Sequence, residues 1–224
     1  MNHRERILAA IRHQPVDRVP TDIWATAEVW QKLQAHFGVD NSLAVYERLG
    51  IDGIFGISPP YIGPPPRAEE GYWENEWGMG YRHQAYETGV YSELVHHPLA
   101  QAETIADLQV FPWPSPDWYD YAALPRLAAQ YPGRAIQCGY TAVFYWHNLM
   151  RGLELSLMDP ILRPDFTHYL VARLSDFFTE YHRRCFEAAG AGGGFILSPS
   201  DHFFEADLRL LAAFADEAHR CVYS

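Results

Sequence analysis

The chain has 224 residues, 48% of them hydrophobic and 20% charged, a balance that fits a globular protein with one sizeable core or two small ones. Twenty-eight acidic against 17 basic side chains give a formal charge of −11, which repels nucleic acid and anionic membranes, so neither is an expected partner. No apolar run reaches the roughly 18 residues of a membrane span, the opening MNHRERILAAIRHQ is too charged for a signal peptide, and three scattered cysteines (Cys138, Cys185, Cys221) favour a reducing cytoplasm over a disulfide framework.

In chain order, Asn2 followed by Glu5 is a capping-box signal, and with Ile7, Leu8 and Ile11 it predicts a helix over 3–12. RVPTDIW (18–24) reads as a short buried strand. Helices follow at 27–37 and 42–49, each stopped by a glycine suited to a helix C-terminus, Gly38 and Gly50. IDGIFGI (51–57) is strand-like, whereas SPPYIGPPP (58–66) has five prolines and cannot be regular. Residues 71–97 alternate aromatic and polar side chains around glycines, which predicts a small antiparallel insertion of two or three strands.

Further on, 103–108 and 122–131 read as helices, RAIQCGY (134–140) as a strand, and 142–158 as a helix broken near Gly152. The clearest helix runs from Pro164, a favoured first position, to Ala189, with Phe166, Leu170, Leu174, Phe177, Phe178, Tyr181 and Cys185 at helical spacing. A strand at 194–198 and a final helix near 205–219 complete the pattern. Strands alternating with helices predict an α/β fold with a parallel sheet.

The stretches HRERILAAIRHQPVDRVPTDIW, LGIDGIFGISPPYIGP, NLMRGLELSLMDPILRPDF and YHRRCFEAAG resemble the uroporphyrinogen decarboxylase (URO-D) superfamily, and GGGFILSPSDH resembles its last barrel strand. The likeness is to the URO-D-like branch related to the corrinoid methyltransferases, and it spans nearly the whole chain. It implies a TIM-type (β/α)8 barrel, a fold that takes about 250 residues. The predicted core strands are only 19–24, 51–57, 134–139 and 194–198, corresponding to strands one, two, three and eight. The resemblance thus implies a partial barrel of about four βα units in one domain over 1–224, with the middle missing near 190–193. The right-handed crossover rule places 194–198 beside 134–139, while the ancestral slot beside 19–24 competes. Four strands close no barrel, so a homodimer that completes one is an expected assembly.

Barrel chemistry sits at the C-terminal ends of the strands. Those ends carry Asp22 and Trp24, then Ser58 and Tyr61, then Tyr140, Tyr145, Trp146 and His147, and finally Ser198, Ser200, Asp201 and His202. Asp22, Tyr140 and His202 are the expected catalytic groups, a carboxylate, a phenol and an imidazole able to move protons. The others are expected to bind a small-molecule substrate. Each position also has a plainer reading. Ser200 or Asp201 can cap the last helix, His202 can be a loop residue, His147 a helix-surface residue, and Tyr145 and Trp146 packing. Asp22 stands out because a carboxylate closing a buried strand needs a reason.

The family's known chemistries leave gaps. Residues 19–35 hold no arginine to clamp a polycarboxylate, and the His-x-Cys zinc pattern of the methyltransferase branch is absent. No metal site and no cofactor is expected, since no P-loop, dinucleotide fingerprint or nucleophile elbow occurs. Three readings follow: a lyase-type protein acting on a tetrapyrrole or related small molecule, a corrinoid-linked methyltransferase relative, and a non-catalytic binding module.

Overall fold

A computed structural model of the chain describes residues 1–87, 89–138, 143–189 and 195–196. The fold is mixed α/β, with a parallel sheet and a separate antiparallel sheet. The described residues fall into two compact units, one built from 1–60, 120–138, 184–189 and 195–196, the other from 61–119 and 143–183.

In the first unit, helix α1 (His3–Ile11) starts at the expected capping box. The Asn2 side chain accepts from the Glu5 N–H at 2.8 Å, and the Asn2 N–H donates to the Glu5 carboxylate at 3.0 Å. Helices α2 (Ala27–Phe37) and α3 (Ser42–Leu49) end at Gly38 and Gly50, which take the left-handed conformation that glycine tolerates. Strand β1 (Ile54–Ile57) follows. After a short helix α5 (Leu124–Ala128), strand β6 (Ala135–Cys138) pairs with β1 in parallel, Ile54 opposite Ala135. Strand β7 (Phe195–Ile196) pairs in parallel with the other side of β6, so the sheet order is β1-β6-β7. The third parallel strand therefore lies beside β6, where the crossover rule puts it.

One expected strand does not form. Residues 19–24 are irregular, and a buried carboxylate takes the Thr21 N–H in their middle. Asp52, fully enclosed just before β1, accepts the Thr21 N–H at 3.1 Å, while the Asp52 and Gly53 N–H groups donate to the Thr21 carbonyl. Pro20 has no N–H to give a ladder, and the Ile23 N–H donates to its neighbour Asp22. The same carboxylate receives Arg6 at 2.5 Å and Arg18 at 2.6 and 3.0 Å, and His3 Nδ1 lies 2.9 Å away. Burial alone would raise the Asp52 pKa, but bonds from His3, Thr21, Arg18 and Arg6 hold it at about 2. Arg134, itself buried, donates to the Ile51 and Asp52 carbonyls and pairs with Glu47.

In the second unit the insertion is an antiparallel sheet of four strands, one more than the upper expectation: β2 (Ala68–Glu69), β3 (Tyr72–Glu74), β4 (Gly80–Tyr86) and β5 (Gly89–His96), in that order. Helix α4 (Ile105–Val110) opens with a capping box between Thr104 and Asp107. Helices α6 (Val143–Arg151) and α7 (Leu153–Leu162) are separated at Gly152, φ +84°, where the sequence predicts the break. Helix α8 (Pro164–Ala189), whose residues 184–189 belong to the first unit, has its expected bounds. Trp77 anchors this core, its ring 4.6–5.5 Å from those of Trp146, Phe177 and Phe178. The expected helix at 205–219 lies outside the described residues.

Two consequences are measurable. Replacing Asp52 by Asn leaves buried Arg6 and half-exposed Arg18 without their shared counter-charge, a change that costs about 3–5 kcal/mol. Urea unfolding of Asp52→Asn checks this, and a loss under about 1 kcal/mol would contradict it.

His147 on α6 is fully buried, and neither ring nitrogen has a hydrogen-bond partner among the described residues. Burial pushes its pKa down from 6.5 to about 4, partly offset by nearby Asp159 and reinforced by Arg151. The unfolded imidazole therefore binds a proton near pH 6.5 and the folded one only near pH 4. Stability present above pH 6.5 is lost as pH falls through that window, by roughly 3 kcal/mol. Unfolding of wild type and His147→Leu between pH 7 and 4 separates this contribution from that of the carboxylates: the variant's stability should fall less.

Candidate functional site

The segment 23–26, the start of α2 and the middle of α3 border an open groove of about 530 Å³, lined by Ile23, Trp24, Ala25, Thr26, Trp30 and Tyr46. Its walls follow from the local sequence. Thr26 takes the extended conformation that starts α2. Trp30 then sits one turn into that helix, and its ring stacks on Tyr46 of α3 at 5.5 Å and 18°. Tyr46 packs in turn against Phe55 of β1 at 4.9 Å, and Phe55 against Tyr131 at 4.6 Å. Four rings thus run from the sheet to the groove. Gly53 makes room for them, since at its φ of +66° a side chain would strain the backbone and strike the Tyr46 ring.

Asp22 is tied to this groove through Tyr46, whose hydroxyl donates to Asp22 Oδ1 at 3.0 Å and lies 3.3 Å from the Ile23 carbonyl. Burial, then the Asp22 charge, pushes the Tyr46 phenol well above its ordinary value, so it stays protonated and donating. Asp22 itself is exposed and closes no strand, so the reason to single it out changes. Its role is that of a carboxylate at the edge of an aromatic groove. Trp24 is 96% exposed, so nothing among the described residues covers its ring.

The other expected site residues lie elsewhere. Ser58 is exposed directly after β1 and is not among the groove's lining residues. Tyr61, Tyr145, Trp146 and His147 belong to the second unit. Tyr61 donates to the Pro64 carbonyl at 2.7 Å, and its ring meets Tyr119 edge-on. Tyr145 is half exposed, Trp146 packs on Trp77 and Phe178, and His147 is enclosed rather than on a helix surface. Tyr140, Ser198, Ser200, Asp201 and His202 lie outside the described residues.

Sequence reasoning missed Trp30, Tyr46 and Glu76. The first two sit at ordinary helix-stripe positions, and only their stacking marks them. Glu76, in the turn between β3 and β4, is half-buried and accepts the Tyr119 hydroxyl at 2.7 Å. No group of three or more His, Cys, Asp or Glu side chains able to hold a metal occurs among the described residues.

A stability contrast tests whether Trp24 serves the fold. Trp24→Ala should change the unfolding free energy by less than about 0.5 kcal/mol, since it removes no buried contact. Trp77→Ala should cost about 3–5 kcal/mol by opening a cavity. Parallel denaturant titrations check both, and a large loss for Trp24→Ala would assign it to packing.

Compared with family models, curated proteins and solved structures, the chain matches none.

Proposed function

We propose that the chain is a URO-D-like protein that binds a tetrapyrrole or a related flat small molecule in the groove of Trp24, Trp30 and Tyr46, with Asp22 as its hydrogen-bond acceptor. The observation that carries this reading is the pairing of an exposed indole with a stacked Trp–Tyr wall in a groove of about 530 Å³. That volume lies within the usual range for small-molecule sites of about 300–1,000 Å³. Aromatic walls favour flat ligands through stacking, and a pyrrole N–H is a donor suited to an exposed carboxylate. The parallel register of β1 and β6 supports a partial barrel as the underlying fold, and Asp22 then belongs to the segment that precedes the first of these strands. No helix among the described residues is long and apolar enough to cross a membrane. Cys138 and Cys185 stand as free thiols, which supports a cytoplasmic location.

The groove is poorly suited to a heavily carboxylated ring, because residues 19–35 contain no arginine and Asp22 adds a negative charge. Lyase turnover of uroporphyrinogen is therefore not expected. Transition-state stabilisation needs several placed groups, each worth about 100- to 1,000-fold. An absorbance titration tests the binding reading. An uncharged alkylporphyrin should shift its main band saturably, uroporphyrin should bind more weakly, and Trp24→Ala should abolish the shift. Saturable binding that survives Trp24→Ala would place the ligand elsewhere. Uroporphyrinogen decarboxylation at an ordinary enzymatic rate, lost on Asp22→Asn, would overturn the exclusion of turnover.

A further inference from the structure

Three carboxylates, Asp17, Asp22 and Asp52, lie on or beside the segment that leads into the groove, and their surroundings differ in one respect. Asp17 is bound by Arg6 at 2.6 and 2.8 Å and by the N-terminal amine at 3.3 Å. Asp52 is bound by Arg6 and Arg18, with His3 beside it. Asp22 has hydrogen bonds from the Tyr46 hydroxyl and the Ile23 N–H, and among the described residues it has no ion-pair partner. Its charge is therefore uncompensated, and it is exposed at the edge of a groove walled by two indoles and a phenol.

The geometry points to an organic cation as the occupant of this groove, a flat monocation carrying its charge on a ring nitrogen. This rests on the reading of the groove as a site for flat small molecules and adds the sign of the ligand's charge. Aromatic faces carry negative potential, so indole and phenol rings attract a cation above them. Asp22 supplies the counter-charge in the same place. The hydrogen bond from Tyr46 fixes the carboxylate without neutralising it, because a hydroxyl donor adds no net charge. The chain's formal charge of −11 raises the local concentration of any cation and lowers that of an anion. An anion would meet Asp22 with no arginine within 19–35 to receive it.

A matched series of bicyclic probes tests the charge separately from the shape. N-methylquinolinium, 1-methylnaphthalene and 1-naphthoate have nearly the same flat outline and differ in charge. Binding to the full chain is followed by tryptophan fluorescence and calorimetry, in wild type, Asp22→Asn and Trp24→Ala. Asn at position 22 can still accept from Tyr46, so the groove keeps its shape. The expected result is tighter binding of the cation than of the neutral probe, with the anion weakest. Asp22→Asn should weaken the cation at least about fivefold and leave the neutral probe unchanged. Trp24→Ala should weaken both. Equal binding of all three probes would overturn the charge inference and leave the flat-ligand reading standing. A cation preference that survives Asp22→Asn would assign it to the overall charge and overturn the role of Asp22. Binding of none would overturn both.

Discussion

The fully enclosed carboxylate of Asp52 sets the geometry of everything around it. Taking it out of water costs several kcal/mol, and the structure offsets that with two guanidinium groups, an imidazole and a backbone N–H. The partners come from two parts of the chain: His3 and Arg6 from α1, Arg18 and Thr21 from the segment that follows it. Asp52 itself stands at the entrance to β1, and Arg134, at the entrance to β6, grips its carbonyl. One residue, through its carboxylate and its carbonyl, thus ties together a helix, an irregular segment and the starts of two parallel strands. In parallel α/β sheets the N-terminal ends of strands carry stability and the C-terminal ends carry function, and Asp52 fits the first role.

This hub explains why the groove exists. Residues 18–21 are held by the side chain of Asp52 and by its backbone rather than by a neighbouring strand. The chain beyond them is free of the alternation that a ladder would impose. Trp24 can then point into solvent and Asp22 can reach Tyr46. The column Trp30–Tyr46–Phe55–Tyr131 fixes the opposite wall to the sheet. Carboxylates that meet the same irregular segment therefore do different work. Asp52 is saturated and structural, whereas Asp22 is exposed and uncompensated, which is the condition a charged ligand can exploit.

Much of this architecture was legible in the sequence because local chemistry decides it. Asn2 with Glu5, Gly38 and Gly50 after apolar stripes, Gly152 inside a helix and Pro164 at a helix start each mark a boundary by satisfying or removing a backbone group. The segment 19–24 was misread because Val19, Ile23 and Trp24 look like strand residues, while the partner that claims the Thr21 backbone between them, Asp52, is about 30 residues away. Trp30 and Tyr46 occupy positions any core residue could hold, so their contact was invisible without coordinates. His147 looked like a surface residue because polar residues usually are; its burial depends on how α6 lies among its neighbours within its own unit. Asp22 was singled out for a reason that failed, its supposed place at the end of a buried strand, and it remains of interest for another.

The central claim is that the ligand face is the wall of Trp24 and Trp30 and not another aromatic surface. The chain has seven tryptophans, so the indole N–H signals in a nitrogen–proton NMR spectrum report on each ring separately. Titration with a flat heteroaromatic cation should move the Trp24 and Trp30 signals together, with a common affinity, and leave those of Trp77 and Trp146 in place. Movement of Trp113 or Trp118 with Trp24 unmoved would contradict the account.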